Sequence, residues 1–514
     1  MTDGSRVTDV LIAGAGPTGL MLACELRLAG VDVAVVDRLA ERSGESRAGG
    51  MHARTMEVLD QRGVLDRFLA AGVPRRIGHF SGLWLDFDHL ATRYPQPLMI
   101  LQSATEQVLA QWALELGVRV RWSSEVTGIR QDAAGVEAAL DTPGAPRRTL
   151  RARYLVGCDG GRSAVRRLAG IGFPGTPATL TALLGDVELQ EPPAEPVFMQ
   201  RSAQGDFSVI PFGPDWYRVI TVQYDRVAGR GEPATYEQLR ESLLRTAGTD
   251  FGMHSPRWVS RFGDAARQAE RYREGRVLLA GDAAHVHYPA GGQGMNTGMQ
   301  DAVNLGWKLA SVVRGRAPQT LLDSYHAERY PVAERVLHNT RAQTALSRPG
   351  PQADALRDVF ARLIGFEDVN AYLGGMISAL DVRYAVGCKH PLAGRRVPDA
   401  DLKTADGETR VVELLRGARP VLLDLRGSTA VAAAAGGWSD RVDLVEARCD
   451  DGPWAVPGAE PIPAPAALLI RPDGHVAWAA DAIPDTSALH TALTTWFGPP
   501  APGPTQSAPS TPAG

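Results

Sequence analysis

The sequence predicts an α/β protein interrupted by a β-rich layer and completed by a smaller α/β domain. Three observations carry that prediction. The first 40 residues alternate strand, glycine turn, helix and strand. From about residue 175 proline becomes frequent and a period-two pattern displaces the helical one. A second shift at 390–399, HPLAGRRVPD, is followed by short apolar runs separated by turn residues. At 514 residues the chain has room for about three domains.

Residues 9–13, the glycine run 14–19, a helical stretch 20–29 and a strand 31–36 form a βαβ start, which needs a parallel pair. Residues 53–71 and 105–116 read as helices, and 82–87, 119–130, 135–139 and 154–158 as strands. Residues 207–211 and 217–224, joined across Gly213, Pro214 and Asp215, read as an antiparallel hairpin; 236–247 read as a helix. The buried-strand pattern returns at 276–280 and leads to a long helix, 300–313, so the first and third segments should build one domain around the β-rich insertion. In the last domain 420–425, 441–445, 467–470 and 475–479 read as strands.

Composition excludes several classes. The 54 basic and 58 acidic residues leave a net charge of −4, and there is no basic block interleaved with aromatics, so no nucleic-acid surface is expected. Cys24, Cys158, Cys388 and Cys449 form no CxxC and no His/Cys cluster, which points away from a disulfide scaffold or a metal site and toward a reduced, cytoplasmic setting. The apolar segment 10–23 is broken by Gly14, Gly16, Pro17 and Gly19 and has no cleavage pattern after it, so it reads as strand and helix rather than a leader. No apolar run is long enough to span a bilayer.

Gly14-Ala15-Gly16-Pro17-Thr18-Gly19 lies between a strand and a helix. In such a GxGxxG the first glycine makes the tight turn, the second lets backbone approach a pyrophosphate and the third lets helix and strand pack closely. The helix N-terminus supplies free N–H groups for phosphates. Asp37, at the end of the second strand, is placed to accept ribose hydroxyls. This motif binds a dinucleotide without separating FAD from NAD. A second motif, Ala280-Gly281-Asp282 after a buried strand and then PAGGQGMN at 289–296 before a helix, fits a flavin: the acid can bond the ribityl chain and the helix N-terminus can stabilise negative charge on the reduced ring. A third, Cys158-Asp159-Gly160-Gly161, ends another strand; taken alone it is an ordinary Asp-Gly turn.

Together, in this order and separation, the three motifs resemble the single-component flavoprotein aromatic hydroxylases (class A) of the p-hydroxybenzoate hydroxylase fold. No second GxGxxG follows a strand, as in that family, where NADPH has no Rossmann domain of its own. The segments ERSGESR at 41–47, MHARTMEVLDQRG at 51–63, 289–296, LLDSYHAER at 321–329 and HPLAG at 390–394 are similar to the aromatic polyketide hydroxylases that tailor angucycline, anthracycline and tetracycline-type scaffolds. The resemblance covers residues 8–498. It implies an α/β plus β architecture: a Rossmann-like FAD-binding domain of the GR2 type (1–175 and, with a helical extension, 275–389), an inserted β-rich substrate domain (176–274, with about 75–100 contributing) and a thioredoxin-like domain (390–498). A disordered Pro/Ala/Ser/Thr-rich tail is expected at 499–514.

Position by position, the resemblance implies that Gly14, Gly16, Thr18 and Gly19 hold the FAD pyrophosphate. Asp37 meets the adenosine ribose, where many relatives carry glutamate. Arg38, Arg47 and Gln102 contact FAD, and backbone groups of Val126 meet the adenine. Asp159 and Gly160 orient the phosphate region, and Gly281 and Asp282 meet the ribityl and phosphate groups. Pro289, Gly292, Gly294, Met295 and Asn296 surround the flavin ring. The activity implied is oxygen transfer from O₂ to an aromatic polyketide through a C4a-hydroperoxyflavin, with NADPH or NADH as reductant. Hydroxylation, Baeyer–Villiger insertion and epoxidation stay open, as do a flavin reductase or dehydratase that uses no O₂ and a non-catalytic flavoprotein.

No Ser/His/Asp or Cys/His constellation offers a nucleophile, and no catalytic residue is singled out. His52, His285 and His287 read as structural groups rather than a base. Phe80, Leu83, Trp84, Phe207 and Trp216 are candidates for the substrate pocket but fit a core equally. The C-terminal domain lacks cysteine after its first strand, so a packing role or a homodimer contact is expected of it rather than dithiol chemistry.

Overall fold

The computed structural model describes residues 7–195, 197–229, 232–450, 452–456, 459–483 and 485–501. Strand β1 (Thr8–Ala13) runs into α1 (Pro17–Leu28) and returns as β2 (Val33–Val36). Val10, Leu11 and Ile12 are all buried, because layers cover both faces of this strand. Helix α1 begins inside the glycine motif, three residues earlier than expected, since a proline is favourable in a first turn. Helix α2 (Ala53–Asp60) ends early: Gly63 takes φ +67° and the rest of the expected helix continues only as Leu65–Leu69. Next come a small hairpin, β3 (His79–Phe80) and β4 (Leu83–Trp84), and helix α3 (Gln102–Glu115). Residues 119–130 form two strands, β5 (Val120–Arg121) and β6 (Glu125–Gln131), split at Ser123, where φ is +52°. Strands β7 (Val136–Asp141) and β8 (Arg148–Gly157) lead to a short helix, α4 (Ala164–Leu168).

The β-rich stretch folds as β9 (Thr181–Leu189), β10 (Phe198–Ser202), β11 (Gly205–Pro211), β12 (Trp216–Gln223), α5 (Tyr236–Ala247) and β13 (Met253–Phe262). The strands form one antiparallel sheet in the order β10-β11-β12-β9-β13, with the expected hairpin at its centre. Strict alternation gives the sheet two different faces. Leu183, Val187, Phe207, Val209 and Val219 pack with Leu239 and Leu243 of α5. Their neighbours Asp186, Asp206, Arg218, Val222 and Trp258 point the other way, toward the rest of the chain.

The chain returns through β14 (Arg273–Glu274) and β15 (Val277–Leu279) to α6 (Gln293–Val313), α7 (Asp323–Ser347), α8 (Pro351–Ile364) and α9 (Glu367–Ser378). The main sheet runs β14-β15-β8-β1-β2-β5, with β7 paired to β8 and β6 to β7. Strand β15 lies parallel beside β8, which lies parallel beside β1, so the segments before and after the insertion share one sheet. Helix α6 starts seven residues before the expected 300. Its glycines were legible as a loop, yet Gly298 is there because a Cβ would collide with Thr18 Oγ1, so the glycine permits close packing rather than a turn.

The C-terminal part contains β16 (Val421–Asp424), α10 (Thr429–Ala435), β17 (Asp443–Glu446), β18 (Ala467–Ile470), β19 (Val476–Ala480) and α11 (Ser487–Phe497), with strand order β17-β16-β18-β19. It is docked through buried charge. Arg471, in the turn between β18 and β19, bonds both carboxylate oxygens of Glu328 on α7 at 2.6 and 2.8 Å and Asp473 at 2.5 Å. Lys308 of α6 donates to Glu328 at 2.7 Å, and Asn304 and Trp307 donate to Asp473 at 3.2 Å. Burial alone would raise the Glu328 pKa, but Arg471 and Lys308 hold it down to about 2. Arg62 pairs with Glu25 at 2.7 Å and donates to the carbonyls of Leu415 and Pro472, both at 2.8 Å, adding a second lock.

The tail expected from residue 499 stays attached for three residues: Ala501 N–H donates to Gly437 O at 2.7 Å and Pro499 O accepts from Arg441. These backbone groups find partners on the domain surface, which overrides the local composition; 502–514 lie outside the described residues. No described helix is long and apolar enough to cross a membrane. Arg471→Ala should lower stability to urea by about 3–5 kcal/mol, because it leaves Asp473 buried without its cation and Glu328 with Lys308 alone. A loss below about 1 kcal/mol would show that water reaches the cluster.

Candidate active site

The first glycine motif makes a cradle with one open side. Gly14 has φ +105°, and a Cβ there would collide with Cys158 O at the end of β8; a Cβ on Gly19 would collide with Gly14 O. Both are therefore needed by the protein itself. A Cβ on Gly16 would meet nothing within 4 Å. Gly16 is also the N-cap of α1, with no side chain capping it and no acid in the first turn. Free N–H groups and open space at one point are what a diphosphate requires.

The second glycine motif converges on the same point. A Cβ on Gly281, where φ is +61°, would lie 2.6 Å from Thr18 Oγ1, so α1, the β15–α6 connection and α6 meet around Thr18. Asp282 is exposed and has no hydrogen-bond partner among the described residues. Gly291 and Gly292 take φ +68° and +65°, and α6 begins with neither a side-chain cap nor an acid in its first turn. Two uncapped helix N-termini thus face one cleft, with an unpartnered carboxylate between them. The residues present fit FAD.

A buried network braces the second loop from behind. Asp301 accepts from Gly281 N–H at 3.1 Å and His285 Nε2 at 2.7 Å with one oxygen, and from Arg329 Nε at 2.6 Å with the other. Burial would raise the Asp301 pKa; Arg329 and His285 hold it below the ordinary carboxylate value. Arg329 also donates to Thr297 O at 3.2 Å and Tyr384 OH at 3.0 Å. His285 is therefore a brace. His52 caps α2 by position, and its Nε2 lies 2.6 Å from Gly291 O. His287 lies beside Gly294, and burial lowers its pKa to about 4, so it is neutral at physiological pH.

Several expected cofactor residues have protein partners. Asp159 is a helix cap: its carboxylate accepts from Ser163 Oγ at 2.5 Å and from Ala164 and Val165 N–H at 2.7 and 3.1 Å, since α4 starts right there. Gly160 is in the same turn, with φ +79°. The Asn296 side chain staples the turn at Gly292 to 50–52, accepting from His52 N–H at 2.9 Å and donating to Gly292 O at 2.9 Å. Asp37 accepts from Ala15 N–H at 2.7 Å and Leu39 N–H at 2.9 Å, tying the first glycine loop to β2. Gln102 accepts from Ala48 N–H at 3.2 Å and donates to Glu106 at 2.8 Å. Arg38 and Arg47 are exposed, Pro289 is exposed and Met295 half-buried. Val126 is buried in β6, just after Ser124, whose N–H donates to Asp37 O at 2.7 Å.

The open face of the inserted sheet covers the cleft. Arg218 pairs with Asp186 at 2.9 and 3.0 Å, Trp258 Nε1 donates to Asp186 at 2.7 Å, and Arg218 reaches Arg47 O at 3.4 Å. Tyr288, just before Pro289, packs on Phe262 with ring centroids 5.8 Å apart. Of the aromatic candidates, Phe207 belongs to the sheet–α5 core and Phe80 to a core with α8 and α9, Trp84 is exposed, Leu83 is partly buried against Phe80's cluster, and Trp216 stacks on Phe212. Asp186, Arg218, Asp301 and Arg329 were not found from the sequence. The available signal was a charge within an apolar helical or alternating face, which gives no partner by itself.

The two glycines should separate in experiment. Gly16→Val should leave the apoprotein folded and strip bound flavin, read as loss of visible absorbance with an unchanged circular dichroism melt. Gly14→Ala should lower the melting temperature as well, because its Cβ strikes backbone.

Two family models match the chain: an FAD binding domain over residues 7–340, and an aromatic-ring hydroxylase C-terminal domain over 390–500. A 12-dehydrotetracycline 5-monooxygenase/anhydrotetracycline 6-monooxygenase from Streptomyces rimosus is 49% identical, covering 96% of this chain and 99% of its own. A rifampicin monooxygenase from Streptomyces venezuelae is 48% identical over 95% of this chain and 98% of its own. Among solved structures, an aromatic hydroxylase from angucycline biosynthesis superposes with a TM-score of 0.89 at 46% identity, covering 96% of this chain and all of that one. With its cradle for a dinucleotide and these relatives along nearly its full length, the chain belongs to the FAD-dependent aromatic-ring hydroxylases, a family of monooxygenases.

Proposed function

We propose that this chain hydroxylates an aromatic polyketide, with the open face of the β9–β13 sheet as the substrate layer. The observation that carries this reading is the contact of that face with both cofactor-side loops: Arg218, held by Asp186, reaches Arg47 O, and Phe262 packs on Tyr288. A flat polycyclic phenol fits between a sheet face and a ring site far better than a chain-like or highly charged substrate. The relatives named above, a tetracycline-type monooxygenase, a rifampicin monooxygenase and an aromatic hydroxylase from angucycline biosynthesis, support the same class.

When bound, FAD supplies the electron and oxygen chemistry, with NADPH or NADH as the reductant. The chain's own work is binding and exclusion. The α1 N-terminus and Gly16 take the diphosphate, Asp282 the ribityl hydroxyls, and Arg38, Arg47 and the backbone near Val126 the remaining polar groups of the cofactor. The uncapped α6 N-terminus carries a partial positive charge that would stabilise negative charge on a cofactor ring bound beside it. Val222, Leu184 and Phe262 on the sheet and Tyr288 on the loop keep water from the reacting edge.

The C-terminal domain, thioredoxin-like without its dithiol, acts in packing, with a homodimer contact as its further role, and the enzyme works in the cytoplasm. The test is anaerobic addition of NADPH to the FAD-loaded protein with a panel of tetracycline-type, angucycline and rifamycin phenols, followed by O₂ and mass analysis of the products. The reading expects flavin bleaching accelerated by one of the phenols and a product heavier by one oxygen with its ring size unchanged. Ring expansion would replace hydroxylation by Baeyer–Villiger insertion; bleaching with no oxygenated product would favour an O₂-independent reductase.

A further inference from the structure

We propose that His79 is a substrate-positioning residue, a neutral imidazole that donates its Nε2–H to a carbonyl or phenolic oxygen of the bound polycycle beside the flavin loop. The proposal rests on the polyketide reading for the identity of its acceptor.

In the hairpin of β3 and β4, Phe80 pairs with Leu83, and the two residues between, Ser81 and Gly82, have φ +55° and +75°. Two left-handed residues in succession make the tightest hairpin turn, and serine enters that region only when its surroundings impose it. Here they do. Ser81 N–H donates to Gln343 Oε1 at 3.0 Å, its hydroxyl donates to Gln343 O at 2.9 Å and meets Ser347 Oγ at 2.6 Å, and its carbonyl accepts from Arg357 at 2.7 Å. Helices α7 and α8 thus pin one residue of a two-residue turn from three sides.

The pinned turn fixes the histidine. Gly82 N–H donates to His79 Nδ1 at 3.2 Å. A ring nitrogen that accepts carries no proton, so the neutral ring has its proton on Nε2. That nitrogen has no partner among the described residues, and it is not sealed away as His52 Nδ1 and His287 Nε2 are. Trp84 meets the ring edge-on, with centroids 6.3 Å apart at 88°. Gln343 joins the turn to the flavin loop, since its Nε2 is 3.5 Å from where a Cβ on Gly291 would sit. An unpartnered donor held at one angle beside that loop is what orients a ring oxygen.

Electrostatics keep the donor neutral. Burial first, and then the facing groups, His52 before α2 and Arg357 on α8, together lower the His79 pKa to about 4. The ring charges only as pH falls through that value, and charging would place a proton on Nδ1 and break the bond from Gly82.

The test uses the FAD-loaded protein and 1,8-dihydroxyanthraquinone, followed by its perturbation of flavin absorbance. His79→Phe keeps a ring against Trp84 and removes both nitrogens; His79→Asn offers Oδ1 to Gly82 N–H and Nδ2 as a donor. Binding should weaken about tenfold or more in His79→Phe and return to within about threefold of the parent in His79→Asn, with flavin content unchanged as the fold control. Nitrogen NMR of labelled histidine should show an acceptor Nδ1 and a protonated Nε2 that do not titrate near neutral pH. Equal binding by His79→Phe, titration near the ordinary histidine value, or failure of the anthraquinone to bind the parent protein overturns the proposal. His79-dependent binding in a protein that oxygenates no polyketide would support the positioning role while sinking the hydroxylase reading.

Discussion

The carboxylate of Asp301 is wholly buried, and three donors converge on it: the amide of Gly281, the ring of His285 and the guanidinium of Arg329. A lone buried charge would cost several kcal/mol, so the site is stable only with all of them in place. Because the Gly281 amide is among them, the loop carrying Asp282 is held relative to α6, and the close approach of Gly281 and Gly298 to Thr18 then sets α1 against both. The cleft is the space left between three backbones that are each fixed from behind.

This explains why the C-terminal domain is docked by ion pairs rather than by an apolar seam alone. Arg329 reaches Tyr384, whose ring lies 4.3 Å from that of His475, and the same turn carries Arg471 and Asp473 into Glu328 and Lys308. Buried pairs of this kind add little net stability but tolerate almost no displacement, since any shift leaves a charge unpaired. The domain therefore acts on the α6–α7 pair as a rigid backing. The inserted sheet uses the same device on the other side of the cleft, where the Arg218–Asp186 pair holds the 47–49 loop.

Much of the frame was legible beforehand. The βαβ start, the β11–β12 hairpin, α5 and the four C-terminal strands follow from period and turn residues, which act over a few positions of chain. Helices α2 and α6 show where that reasoning stops. In α2 a glycine with positive φ ends a helix whose apolar pattern continues, and in α6 glycines that resemble a loop instead allow Thr18 to approach. The site residues divide in the same way: Gly16 faces open space and the Asp282 carboxylate has no hydrogen-bond partner among the described residues, whereas Asp159 and the Asn296 side chain have protein partners that no local pattern announces.

By itself the sequence determined the family, the order of the layers and the two glycine loops, because each is written in neighbouring residues whose conformational needs are local. Only the tertiary structure decided which charges are paired, which face of the inserted sheet covers the cleft, and that His79 holds an open donor beside it. Those properties belong to residues dozens to hundreds of positions apart, and the energy of a buried charge or a fixed tautomer depends on the partner that folding brings to it.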